Sequence, residues 1–139
     1  MRRISDTVVQ TQRKIQLGRK GEEQAALALE AGGMKIINRN FRSKFGEVDI
    51  IAVEDDTLVF VEVKTWSAFD IDDLQYSVDI RKQRKIIKTA KYFLLENRQY
   101  NNMTIRFDVI FVKENVSNGR QGSGGFQIKH LASAFTESV

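Results

Sequence analysis

The 139-residue chain contains no cysteine, one histidine and one tryptophan. Without cysteine there are no disulfides, no thiolate nucleophiles and no sulfur-ligated zinc. The single histidine, His130, lies near the C-terminus and cannot build a two-histidine metal site by itself. Any metal must rest mainly on oxygen ligands, which favours Mg2+ or Mn2+ over zinc or copper. No apolar run approaches the roughly 18 residues of a membrane-spanning helix. At the N-terminus, Met1-Arg2-Arg3-Ile4-Ser5-Asp6 has no apolar stretch behind its basic residues, so it does not read as a secretory signal. A cytoplasmic protein with no membrane partner is the expectation.

What is present suits one domain with its own core: 42% of residues are apolar and 29% charged, near the averages for globular chains. The net charge of +4 and pI near 9.4 fit a polyanionic partner. The distribution is more telling than the total, because residues 81 to 91 carry six positive charges and no acid. Acids collect instead at 54 to 56 and 70 to 73.

Helical periodicity from Thr11 to Ala31, with Leu17, Ala25, Ala28 and Leu29 on one stripe, predicts an amphipathic helix stopped by Gly32-Gly33. Met34 to Asn38 suits a short strand. Glu47 to Val53 and Leu58 to Thr65 read as two strands of a hairpin around the turn Glu54-Asp55-Asp56-Thr57. A second helix is expected from Asp79 to Asn97, with Ile86, Ala90, Phe93 and Leu94 inward and a basic outer face. Ile105 to Val112 is an apolar strand, Gly119 to Gly125 a surface connection, and Phe126 to Lys129 a last short strand. The order αβββαββ points to an α/β single domain, a central mixed sheet flanked by helices. Residues 1–14 are expected as a flexible N-terminal segment and 15–135 as the domain.

With the turn centred between Asp55 and Asp56, antiparallel pairing sets Val53 opposite Leu58 and Ile51 opposite Phe60. Continued, it sets Asp49 opposite Glu62 and Glu47 opposite Lys64, all four on one face. The other face, Val48, Ile50, Ala52, Val59, Val61 and Val63, is almost wholly apolar. Strands of this kind belong in the middle of a covered sheet, where an ionised carboxylate is costly unless it is paired or holds a metal. The chemistry that needs such a cluster is phosphodiester hydrolysis. Asp49 and Glu62 would hold a divalent cation, the Val63 carbonyl would add an oxygen, and Lys64 would orient water or offset developing charge. The plainer alternative is a structural network in which Lys64 pairs with Glu47, leaving two facing carboxylates with one lysine.

The pattern of Asp49 followed by Glu62-Val63-Lys64 resembles the PD-(D/E)XK nuclease superfamily, whose members carry such a motif on the second and third strands of an αβββαβ core. More closely, Gly18, Gly21-Glu22, Ala25, Asn40, Arg42, Gly46-Glu47-Val48-Asp49-Ile50-Ile51, Val59-Phe60-Val61-Glu62-Val63-Lys64, Arg106-Phe107-Asp108-Val109 and Ala132, Ala134-Phe135 resemble the YraN-like family of predicted endonucleases. That resemblance implies a restriction-endonuclease-like fold for a nuclease-like domain, with Mg2+ or Mn2+ as cofactor. The further similarity to archaeal Holliday-junction resolvases implies a helical glutamate completing the site, and Glu22 is the matching position. Trp66 stands where many YraN-like sequences carry arginine, and either packing or base stacking suits it.

Arg81, Lys82, Arg84, Lys85, Lys88 and Lys91 can track a phosphate backbone, and Arg39, Arg42 and Lys44 lie just before the hairpin. Asp108 reads more simply as an ion-pair residue, and His130 as a hydrogen-bonding one. The leading expectation is a nuclease acting on DNA, on branched or damaged structures. The alternative is a non-catalytic nucleic-acid-binding module of the same fold. The sequence leaves open whether the protein is a monomer or a homodimer.

Overall fold

A computed structural model describes residues 4–66, 78–117 and 120–137, with side chains for 7–65, 78–115 and 125–137. Helix α1 (Ile4–Ala31) leads into strands β1 (Lys35–Ser43), β2 (Gly46–Glu54) and β3 (Thr57–Trp66). Helix α2 (Ile80–Glu96) and a short 3-10 turn (Arg98–Tyr100) precede β4 (Thr104–Ser117) and β5 (Arg120–Phe135). The expected order is therefore observed. The five strands form one mixed sheet in the order β1-β2-β3-β4-β5, with β3 and β4 parallel and every other pair antiparallel.

The apolar run of β3 is buried on both faces, as a central strand requires. On one side Ala25, Ala26 and Leu29 of α1 pack on Ile50, Ala52, Val59, Val61, Ile110 and Val112. On the other, Ile86, Ala90 and Phe93 of α2 pack on Ile51, Leu58, Phe60, Phe107 and Phe111. Phe60 and Phe93 meet edge to face at 5.9 Å, a favourable aromatic geometry. Asp79 caps α2 by accepting the Arg81 N–H at 2.7 Å, satisfying one of the helix's free amide donors.

The boundaries differ from expectation at several ends, and β4 runs past Val112 to Ser117 and β5 past Lys129 to Phe135. Helix α1 begins at Ile4, ahead of the expected Thr11. Strand β1 runs on to Ser43, because Arg39, Phe41, Arg42 and Ser43 pair with β2 while Arg39 and Arg42 lie exposed on an edge strand. Residues 120–125 of the glycine-rich segment belong to β5, since pairing with β4 overrides their weak strand propensity. The acids at 70 to 73 lie outside the described residues. Among the described residues, no helix is long and apolar enough to cross a membrane.

Candidate functional site

The hairpin register holds from Glu54↔Thr57 to Ile50↔Val61 and ends there. The next rungs expected, Asp49 with Glu62 and Glu47 with Lys64, are not formed as strand pairs, and β2 continues on β1 alone. Two features mark the parting. Asn40, between the Arg39↔Ile50 and Phe41↔Val48 pairs, has φ of 54°, a left-handed conformation that Asn tolerates better than most residues. Val48, expected on one sheet face with Ile50, packs instead with Ile51 in the α2-side cluster. The flat-strand alternation thus breaks around Asp49.

The Asp49 carboxylate turns into the gap. Its Oδ2 accepts the Val63 backbone N–H at 2.7 Å, the place a β2 carbonyl would take in a continued ladder. A residue's N–H and C=O leave an extended strand on the same side, so the Val63 carbonyl faces this opening too. Both acids are buried, Asp49 being 7% and Glu62 8% exposed. Lys82 Nζ of α2 lies 3.6 Å from Glu62 Oε1. The other oxygen, Glu62 Oε2, is buried and has no hydrogen-bond partner among the described residues.

Electrostatics follow from this crowding. Burial and the neighbouring Asp49 charge push the Glu62 carboxyl up to about 8, against the opposing pull of Lys82. Burial also raises Asp49, opposed by the Val63 N–H. Two buried carboxyls in one site favour a shared proton or a cation over two bare charges. With all-oxygen donors and an unpartnered buried oxygen, the pair fits a hard divalent cation.

Glu22 reaches the site from α1 because that helix touches β3 at Gly21. A Cβ on Gly21 would stand 2.1 Å from Thr65 Oγ1, so only glycine permits this approach. Glu22 is half-buried, and its carboxyl is raised by burial and then by the Asp49 charge, with a hydrogen bond from Asn40 opposing. Its neighbour Glu23 faces away and pairs with Arg39 at 2.8 Å. Asp49 and Glu62 form a pair with Glu22 alongside; no three acidic or histidine side chains among the described residues are gathered into a closed metal-binding set.

Glu47 lies opposite Arg42 on β1 and forms an ion pair with it at 3.1 Å, a correction to the strand pairing with Lys64. The cause is the same parting, which leaves β1 as the strand facing Glu47. Lys64 is half-buried on β3, backbone-paired with Phe111. Arg81, Lys85, Lys88, Arg42 and Lys44 are exposed, whereas Lys82 turns inward to Glu62. The side chain of Trp66 lies outside the described residues. The sequence reading missed Asn40 and Thr65 as shapers of the site. Asparagine inside a strand was the one available signal, whereas the Gly21–Thr65 contact is visible only in three dimensions.

The family model described as "Uncharacterised protein family UPF0102" matches residues 21–112. A UPF0102 protein of Treponema pallidum is 46% identical over 123 residues, covering 88% of this chain and 94% of the relative. One from Treponema denticola is 41% identical over 126 residues, covering 86% and 94%. One from Persephonella marina is 43% identical over 98 residues, covering 70% and 84%.

Proposed function

Since the chain belongs to the uncharacterised family UPF0102, the site itself must carry the functional reading, and we propose a Mg2+- or Mn2+-dependent nuclease that hydrolyses phosphodiester bonds in DNA. The observation that carries it is the buried Asp49 and Glu62 pair at the mouth of the parted hairpin, with a Glu62 oxygen that has no hydrogen-bond partner among the described residues. In this reading the fold is restriction-endonuclease-like, within the PD-(D/E)XK superfamily, and the protein works in the cytoplasm.

Asp49, Glu62 and the Val63 carbonyl would hold the ion, with Glu22 as the additional acid. A divalent ion bound there polarises a phosphoryl oxygen and makes bound water more acidic. Burial keeps bulk water from screening the two carboxylates, and the Val63 N–H fixes the Asp49 carboxylate in place. Lys64, two residues beyond Glu62 on the same strand, supplies positive charge for the phosphate. Lys82 offsets the charge of Glu62, and the exposed cations of α2 bind the backbone of the strand being cut.

The test incubates wild-type, Glu62→Gln and Lys64→Ala protein with Mn2+ and linear, flapped, branched and RNA substrates. Cleavage by the wild type should fall at least about a hundredfold in either variant, the scale of removing one group that stabilises transition-state charge. Undiminished metal-dependent cleavage by Glu62→Gln would rule the reading out. The second reading, a non-catalytic nucleic-acid-binding module, draws support from the absence of a closed three-acid set among the described residues. DNA binding without any Mn2+-dependent cleavage selects it.

A further inference from the structure

Farther along α2 lies a feature that the acid pair does not use. Strands β1 and β2 are joined by the two-residue turn Lys44-Phe45, closed by the Ser43↔Gly46 pair. Tight hairpin turns favour Gly, Asn and Asp. Phe45 belongs to neither core cluster and is 37% exposed. Neither packing nor turn chemistry therefore calls for an aromatic ring there.

The turn is firmly held. The Phe45 N–H donates to Ser43 Oγ at 3.1 Å, and that hydroxyl is hydrogen-bonded at 3.0 Å to Thr89 Oγ1, buried in α2. Gly46 has φ of 151°, and a Cβ there would meet Lys85 Cβ at 3.4 Å, so the turn lies in van der Waals reach of the helix. Lys44 Nζ lies 5.3 Å and Lys88 Nζ 5.8 Å from the centre of the Phe45 ring. Neither ammonium has an ion-pair partner among the described residues. Two like charges drawn to one ring by a weak exposed cation–π attraction are poorly neutralised, and an anion between them would relieve this.

Lys82, Lys85 and Lys88 recur at helical spacing down one side of α2. Lys82 touches Glu62, Lys85 backs Gly46 and Lys88 overlies Phe45. The acid pair and the ring are thus linked by a cationic track of about 9 Å along the helix axis.

We infer that the Lys44-Phe45 turn grips an unpaired nucleic-acid strand, the exposed Lys44 and Lys88 side chains swinging from the Phe45 ring to the flanking phosphates and freeing its face to stack on a base. The inference deepens the proposed function and rests on its nucleic-acid reading. A paired, stacked base offers no free face to the ring, so the turn selects single-stranded or flapped segments over continuous duplex.

The test measures fluorescence anisotropy of a labelled single strand and its duplex with the full chain in EDTA, where metal-dependent cutting cannot intervene. The wild type should prefer the single strand. Phe45→Ala and Phe45→Leu should each lose about tenfold or more in single-strand affinity, the scale of one base–aromatic stack, with duplex affinity unchanged. Phe45→Trp should restore the preference, and because Phe45→Leu keeps apolar bulk, its loss isolates the aromatic face. Equal single-strand affinity in wild type and Phe45→Leu would overturn the inference, as would equal losses for both substrates. Parallel cleavage assays separate the two readings. Phe45-dependent single-strand binding without cleavage upholds the grip and sinks the nuclease; cleavage with Phe45-independent binding does the reverse. No nucleic-acid binding at all defeats both.

Discussion

Among the described residues the sheet buries acids at Asp49 and Glu62, at Asp108 and at Glu114, and the Asp49–Glu62 pair and Asp108 are handled oppositely. Asp108 on β4 is fully buried, and each of its oxygens is used. Arg106 Nε and Nη2 donate to it at 2.9 and 3.0 Å, His130 Nε2 lies 2.7 Å away, and the Ser133 N–H donates at 3.0 Å. Strand β5 makes room for this by a register shift against Phe107 and Val109, with Ser133 at φ of 52°. Burial alone would raise the Asp108 carboxyl, yet the bonds from His130, Arg106 and Ser133 hold it below the ordinary range. Glu62 has a lysine at 3.6 Å, a second oxygen without a hydrogen-bond partner among the described residues, and a carboxyl raised by burial and by Asp49. A fold able to satisfy one buried acid so fully has left the other pair short of partners. Such a shortage costs stability, and perturbed acids of this kind concentrate at functional sites.

Removing each acid in turn should break the comparison open most widely. Asp108→Ala leaves Arg106 without its buried partner and should cost about 3–5 kcal/mol in urea unfolding. Asp49→Asn should cost far less or stabilise the metal-free protein, because the amide removes a buried charge and its oxygen can still accept the Val63 N–H. Equal losses would erase the distinction.

A second test varies pH without metal. The folded Glu62 carboxyl is raised from its ordinary 4.5 to about 8, so the folded chain holds a proton there that the unfolded chain releases. Stability should decline as pH rises through that window, and Glu62→Gln should flatten the decline. Asp108, lowered from 3.8, acts in the opposite sense: its contribution is present above that value and is lost as acid brings the pH through its depressed folded value. A wild-type profile flat between pH 5 and 8, checked by urea melts in buffers at about those values, would contradict the Glu62 assignment.

The smallest effect concerns the scaffold. Gly21→Ala should cost about 1–3 kcal/mol through overpacking on Thr65, and the cost should shrink in a Thr65→Ala background. Additive effects in the double-mutant cycle would show that the close approach does not shape the site.

Much of this was legible in the residues. The element order, the basic helix, and the hairpin register down to Ile50↔Val61 followed from periodicity and turn chemistry. The ion-pair role of Asp108 and the hydrogen-bonding role of His130 were also readable. Pairing arithmetic failed at Asp49 because it assumes a ladder that runs on. A left-handed Asn40, a Val48 turned to the other layer and an aspartate bonded to Val63 N–H are tertiary solutions with no periodic signature. Glu47 was assigned to the wrong strand for the same reason. Phe45 went unremarked because one aromatic in a turn carries no pattern until the lysines around it are placed.

The end of the β2–β3 ladder at Ile50↔Val61 also bears on how the chain assembles. A hairpin with a two-residue turn closes locally, before distant elements arrive. If its zipper ran one rung further, it would press Asp49 against Glu62 while both were still solvated and charged. Stopping short lets the hairpin form without that repulsion. The two acids are then confined only when α1 and α2 dock on either face, the step that also brings Glu22 and Lys82 to them.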